Sequence, residues 1–234
     1  VLTRLLGDAF GERAYVPPIT GRVTADAQAS LLHATAAFAS FAREGNPVIP
    51  LAIRYIEDRN GIVVYDNELA ALRESVRSEA AVSKPTAYIV RDTLSRTLSE
   101  GALARRVAEA GGMERGDYGA TAGGTPDWSA AWTIGSSSHM TAAVRFGRDR
   151  EGETLGQYRT GAGVAGPVWT RFMKLVHSDL PMTDPGSGAT PDSVIHRRVC
   201  AVSGELPGPE CNEGVVVLPF VAGTEPETLC TYHP

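Results

Sequence analysis

Lysine is almost missing from this chain. Lys84 and Lys174 are the only two in 234 residues, and nearly all the positive charge is arginine. Any chemistry that needs a lysine amine therefore has two candidates at most. Excess positive charge is missing as well: the net charge is −5 and the isoelectric point is near 5.6. Nucleic-acid binding relies on a basic surface that displaces counterions, so a nucleic-acid partner is excluded. No apolar run approaches the roughly 20 residues that span a bilayer, and no signal-peptide pattern is visible. No G-x-x-x-x-G-K-[ST] loop occurs, and Gly152 and Gly156 do not have the spacing of a phosphate cradle. Cysteine is missing until Cys200; all three cysteines lie in the last 35 residues, so a staple or metal site is expected in the tail and none in the body. The chain opens on Val1, which reads as a fragment, a processed product or an alternative start.

What is present has ordinary globular composition, 43% hydrophobic and 21% charged. Pro17, Pro18 and Gly21 break the first 22 residues. A helix is expected over 25–43, with Thr24 or Asp26 as caps, Gly45 as its stop, and an alanine-rich apolar face of Leu31, Leu32, Thr35, Phe38, Ala39, Phe41 and Ala42. Asp58-Arg59-Asn60-Gly61 between two β-rich runs predicts a hairpin with a type I′ turn. Residues 68–84 are polar and weakly helical. Helices follow over 86–99, with Pro85 in the first turn, and 102–110. Two antiparallel strands are expected at 131–134 and 140–146, with Ser136-Ser137-Ser138 as a solvated connection. A last helix starts near Pro167 with Val168, Phe172, Leu175 and Val176 on its apolar side. Residues 181–191 are rich in Pro, Gly, Ser and Thr. Helices and antiparallel strands without βαβ units predict an α+β fold, an antiparallel sheet flanked by helices.

Four stretches in this order resemble the penicillin-binding transpeptidase domain of class A penicillin-binding proteins, the bifunctional peptidoglycan synthases. TADAQASLLHATAAFASFAREG is similar to a helix of that family, and IRYIEDRNGIVVYDN to the hairpin after it. SKPTAYIVRDTLSRTLSEG is similar to the helix before the third catalytic motif. GTPDWSAAWTIGSSSHMTAAVRFGRD with TGAGVAGPVWTRFM resembles the motif strand, its partner and the C-terminal helix. The tail VCAVSGELPGPEC…VAGTEPETLCTYH resembles tails of some members. The resemblance covers nearly the whole chain and maps to the C-terminal half of the domain, which implies a partial serine-transpeptidase-like fold over 1–178, a linker at 179–192 and a cysteine-containing tail module at 193–234.

Family chemistry requires a serine in S-x-x-K, a relay in S-x-N and a K-T-G strand that binds the substrate carboxylate and completes an oxyanion hole. Neither lysine follows a serine at that spacing, and no S-x-N exists. Tyr65-Asp66-Asn67 spells Y-x-N on the outgoing hairpin strand and reads as structural. In the family, the K-T-G lysine lies eleven residues before a tryptophan that corresponds to Trp132. Counting back gives Thr121-Ala122-Gly123-Gly124-Thr125 in place of K-T-G-T-T, a degenerate substrate-binding position. Losing the lysine removes a charge-assisted hydrogen bond worth about 1.5–3 kcal/mol. Losing the nucleophile removes the covalent route, so no residue here is assigned a catalytic role. Gly123-Gly124 reads either as a bulge or turn without a ligand, or as a place where a substrate backbone lies against a strand.

Other candidates weigh as structural: His33 as a packing or capping residue, His139 at a turn, His177 at a helix end, Arg105-Arg106 on a solvated face, and Ser136-Ser137-Ser138 without a base. In the tail, Cys200, Cys211, Cys230 and His233 are candidates for a disulfide or for zinc; a disulfide typically contributes about 2–4 kcal/mol, and the thiols and imidazole are zinc ligand types. No cofactor is called for elsewhere. By resemblance, the expected role is peptidoglycan synthesis outside the cytoplasm, with no transpeptidase activity in this chain alone. The expected partners are a peptidoglycan stem peptide or the missing N-terminal half of the domain. The alternatives are a non-catalytic module that binds cell wall or a partner, and a small extracellular zinc-binding tail.

Overall fold

The computed structural model describes residues 30–77, 79–113, 118–148, 150, 152–180, 190–211 and 214–232. Helix α1 (Leu31–Ala42) starts at Ser30, whose Oγ accepts the N–H of His33. Such a cap satisfies one of the first-turn donors that the helix itself leaves open. The caps expected at Thr24 and Asp26 lie outside the described residues. The helix stops at Arg43, and the Gly45 N–H turns back to the Ser40 carbonyl.

The hairpin joins β1 (Tyr55–Glu57) to β2 (Val63–Asp66). Its turn differs from the expected type I′. Asp58 pairs with Ile62, and the Gly61 N–H bonds to the Asp58 carbonyl, so the loop proper is Arg59-Asn60-Gly61. Only Gly61 has positive φ, +80°, whereas a type I′ turn needs two such residues; a three-residue loop needs one. The Asp58 carboxylate winds this loop by accepting the N–H groups of Asn60 and Ile62. Tyr65-Asp66-Asn67 is the junction to α2 (Asn67–Arg77): Asp66 Oδ1 accepts the Leu69 N–H, and Asn67 Nδ2 donates to the Ile53 carbonyl.

Helix α3 (Lys84–Arg96) is capped by Ser83 and carries Pro85 in its first turn; α4 (Gly101–Glu109) follows. The main sheet has β3 (Tyr118–Gly124), β4 (Ala130–Ser137) and β5 (Thr141–Gly147), antiparallel in the order β3-β4-β5. A π-helical turn, Gly161–Ala165, leads into α5 (Gly166–Val176). Strand alternation places Tyr118, Ala120, Thr133 and Gly135 on one face of the sheet. There they meet α4, α5 and the π-helical turn in a core of Leu98, Leu103, Val107, Trp169 and Met173. Helices α1 and α3 cover the opposite face. The central strand β4 is therefore enclosed on both sides, which its Ala-Ala-Trp-Thr-Ile-Gly sequence, almost free of polar bulk, permits.

Two expected apolar faces turn out to be rotated. On α1 the buried residues are Ala36, Ala37 and Ser40, while Leu32 is 56% exposed. On α5 they are Gly166, Trp169, Thr170 and Met173, while Val168 and Phe172 are each 44% exposed and Leu175 is 74% exposed. Small side chains let α1 approach Val82 and Ala87 closely, and the Trp169 indole enters the space above Gly135 while donating to the Ala142 carbonyl. The larger apolar residues are left to line a groove of about 480 Å³ between α1, β5 and α5.

In the tail, β6 (Val194–Cys200) pairs antiparallel with β7 (Val215–Val221). It rests on α3: Arg96 donates to the Val217 carbonyl at 2.8 Å, and the Tyr88 ring meets His196 edge-on. Most of the expected 179–192 linker lies outside the described residues. Among the described residues no helix is long and apolar enough to cross a membrane.

Candidate functional site

Thr121-Ala122-Gly123-Gly124 forms the second half of β3, an edge of the three-stranded sheet. Its pairing with β4 runs without a register shift from Tyr118 opposite Ser137 to Gly124 opposite Ala131. The double glycine is therefore neither a bulge nor a turn. Gly123 stands opposite Trp132, whose indole lies over it: a Cβ on Gly123 would be 2.4 Å from Trp132 Cζ2. At Gly124 a Cβ would be 2.8 Å from the Ala130 carbonyl oxygen. Both glycines are thus accounted for by close neighbours within the sheet.

Thr125 closes the turn after β3. Its Oγ1 accepts the Ala130 N–H at 2.9 Å and lies 3.0 Å from Ser129 Oγ. Asp127 accepts the Ser129 N–H and hydroxyl. The Thr125 hydroxyl, and then the two Ser129 donors, hold the Asp127 carboxyl below its ordinary range. Thr121 shares its side of β3 with Gly119 and Gly123 and is half-buried opposite Ile134. At this position the chain presents a hydroxyl and no cation. Both lysines are engaged elsewhere: Lys84 Nζ lies 3.0 Å from Glu44 Oε2, and Lys174 Nζ donates to the Gly111 carbonyl at 2.7 Å.

One pairing was not legible beforehand. Ser137, expected in a solvated turn without a base, is 1% exposed and lies 2.7 Å from His177 Nε2. His177 Nδ1 is 2.7 Å from the Met173 carbonyl, which can only accept. That assigns a proton to Nδ1 and leaves Nε2 facing the Ser137 hydroxyl. The Ser137 Oγ in turn accepts the N–H groups of His139 and Met140. A serine–histidine contact of this kind can activate a nucleophile, but here the oxygen is saturated and enclosed. It latches the β4–β5 turn to the end of α5. Forty residues separate the two partners, and no motif spacing links them.

His33, His139 and Arg106 sit in structural positions. His33 joins the α1 cap through Nδ1, 2.7 Å from Ser30 Oγ. The His139 ring lies 5.8 Å from that of His177. Arg106 pairs with Glu109 one turn on.

The tail holds a second constellation. Cys200 ends β6, Cys211 sits in the connection to β7, and Cys230 follows β7. All three are buried, and their Sγ atoms lie within 4.8 Å of one another. Backbone N–H groups of Ser203 and then Val202 pull the Cys200 thiol below its ordinary range, whereas burial pushes the Cys211 thiol up. His233 lies outside the described residues.

A helix-covered antiparallel sheet ending in a two-stranded tail defines the class: a partial penicillin-binding, serine-transpeptidase-like fold. Penicillin-binding protein 1A from Haemophilus influenzae superposes over 87% of this chain and 33% of its own, with a TM-score of 0.71 at 21% identity. The penicillin-binding protein PonA1 from Mycobacterium tuberculosis does so over 71% of this chain and 44% of its own, with a TM-score of 0.59. The sequence narrows this further. Residues 190–234 match the family model described as penicillin-binding protein 1A, C-terminal domain. Penicillin-binding protein 1A of Aquifex aeolicus is 32% identical over 86% of this chain, and that of Clostridium tetani 30% over 85%. The chain corresponds to the C-terminal part of the transpeptidase domain of class A penicillin-binding proteins. It spans 25% and 24% of the length of those two relatives.

Proposed function

We propose that this chain is the C-terminal part of a peptidoglycan transpeptidase-type domain that serves cell-wall synthesis outside the cytoplasm, and that it is silent in acyl transfer by itself. The observation that carries the second clause is the engagement of both lysines away from β3; in this reading Thr121 takes the position of the strand lysine. A hydroxyl at Thr121 cannot neutralise a substrate carboxylate, and neither amine is placed to deprotonate a serine.

The first clause draws on an exposed apolar surface. Leu31, Leu32, Thr35, Val168 and Phe172 flank the outer edge of β5 at Thr141–Val144. The hairpin adds Ile53, Tyr55, Val64 and Tyr65, all about half exposed or more. An edge strand with apolar walls is a place for another strand to pair. The partner that fits is the remaining part of such a domain, which supplies the missing strand and the nucleophile. Labelled penicillin tests the reading: the isolated chain should take up no covalent label. Labelling that survives denaturation would overturn it.

A further inference from the structure

The tail contains a buried feature that the transpeptidase reading does not use. Its own buried cluster is made of Cys200, Cys211 and Cys230, with Val215 packed against them. A module of 45 residues (190–234) is below the size at which a hydrophobic core suffices, and modules under about 70–80 residues usually add disulfides or a structural metal. The three sulfurs come from three separate segments: the end of β6, the 201–214 connection and the chain after β7. Leu206 and Leu229 form a parallel bridge that holds two of these segments together, and the Cys230 N–H bonds to the Leu206 carbonyl. Three distant thiols meeting at one point is a stronger constraint than pairing two.

We propose that Cys200, Cys211 and Cys230 are three ligands of a tetrahedral zinc ion that staples the tail. Bonds of about 2.3 Å from zinc to sulfur at tetrahedral angles place sulfurs about 3.8 Å apart, inside the mutual limit of 4.8 Å seen here. A disulfide uses two sulfurs and leaves the third thiol buried against the bridge, whereas a metal uses all three. Cys211 also lines a cleft of about 550 Å³ with Arg198, Pro207 and Pro209, which provides a path for the ion. Binding transfers three thiol protons to solvent and changes no oxidation state. The fourth position of the tetrahedron falls to a ligand beyond these three sulfurs, such as water. This site is independent of whether the transpeptidase reading holds.

The test uses the whole chain, purified under reducing conditions without chelator. Elemental analysis should find one zinc per chain, and cobalt substituted for it should give the intense near-ultraviolet bands of thiolate-to-cobalt charge transfer. The thiols should resist alkylation until a strong chelator is added. Cys211→Ser should weaken zinc at least about 100-fold, beyond what losing an outer-shell partner costs. If that variant fails to fold, stripping and re-titrating the natural chain against a chromogenic chelator reads the same affinity. Three freely alkylated thiols with no metal would overturn the proposal. So would a mass lower by two hydrogens with no metal in chain purified without reductant, the signature of a disulfide.

Discussion

Replacing Gly123 by alanine isolates the reason for the double glycine. The new methyl would stand 2.4 Å from Trp132 Cζ2 and 2.7 Å from Cε2, far inside the ordinary contact distance of about 3.5–4.0 Å. The indole must swing off the strand or the strand must shift. Overpacking of this kind costs about 1–3 kcal/mol, which for a chain of this size lowers the melting temperature by about 2–4 °C per kcal/mol. The decisive measurement is a double-mutant cycle by urea unfolding. In a Trp132→Ala background the clash has no partner, and alanine, which has more strand propensity than glycine, should cost under about 0.5 kcal/mol or stabilise by a similar amount. A coupling of about 1–3 kcal/mol is expected. Equal destabilisation in both backgrounds would refute the claim that Trp132 is what requires glycine at 123, and would return a ligand to the question.

Ser137→Ala should destabilise by about 1–3 kcal/mol, because it leaves the buried His177 Nε2 and two part-buried backbone N–H groups without their shared partner; thermal unfolding reads this, and no change would remove the latch. Asp58 is held below its ordinary range by the N–H of Ile62 and then that of Asn60. Its contribution is therefore fully present above the unfolded-state pKa of about 3.9 and is lost as pH falls through the lower folded value. Asp58→Ala should thus be less stable than the natural chain at neutral pH and converge with it in strong acid; curves that stay parallel to the lowest pH would contradict this. Thr121→Lys should remain unlabelled by penicillin, since the strand cation alone supplies no nucleophile; covalent uptake by that variant would show that a serine of this chain can act.

The β4–β5 pair and most helix positions were legible because strand runs, Pro in a first turn and Gly stops are local signals; that β3 joins β4 in register along its whole length was not. Pro85 marked the first turn of α3, and Ala87 and Leu94 are the buried residues of that helix. Face assignment failed on α1 and α5 for one physical reason. Hydrophobicity along a helix reports every surface that wants covering, and these two helices have two such surfaces, one filled by small residues and Trp169 and one open to the groove. The hairpin turn was misassigned because Asn-Gly spells a type I′ loop, while Asp58 provides an alternative winding that only coordinates reveal. At the candidate strand, counting from Trp132 picked out Thr121 as the position to examine, but not that the same tryptophan lies on Gly123. The cysteines were visible as a set; their convergence was not, since it depends on how β6, β7 and the final segment fold back.

Helix α3 bears on both candidate regions at once. Its Leu94 and Ser95 lie against Gly119 of β3, and Thr97, just past its end, donates to the Ala120 carbonyl. From the same helix Arg96 reaches the tail at Val217, braced by Asp92 at 2.6 Å. The helix is thus a shared keel, with strand and tail bolted to it a few residues apart. Labels on β3 and β7 would therefore report the integrity of one rigid joint, so that cutting the Arg96 contact, far from Thr121, is a way to loosen the edge of the sheet without touching it.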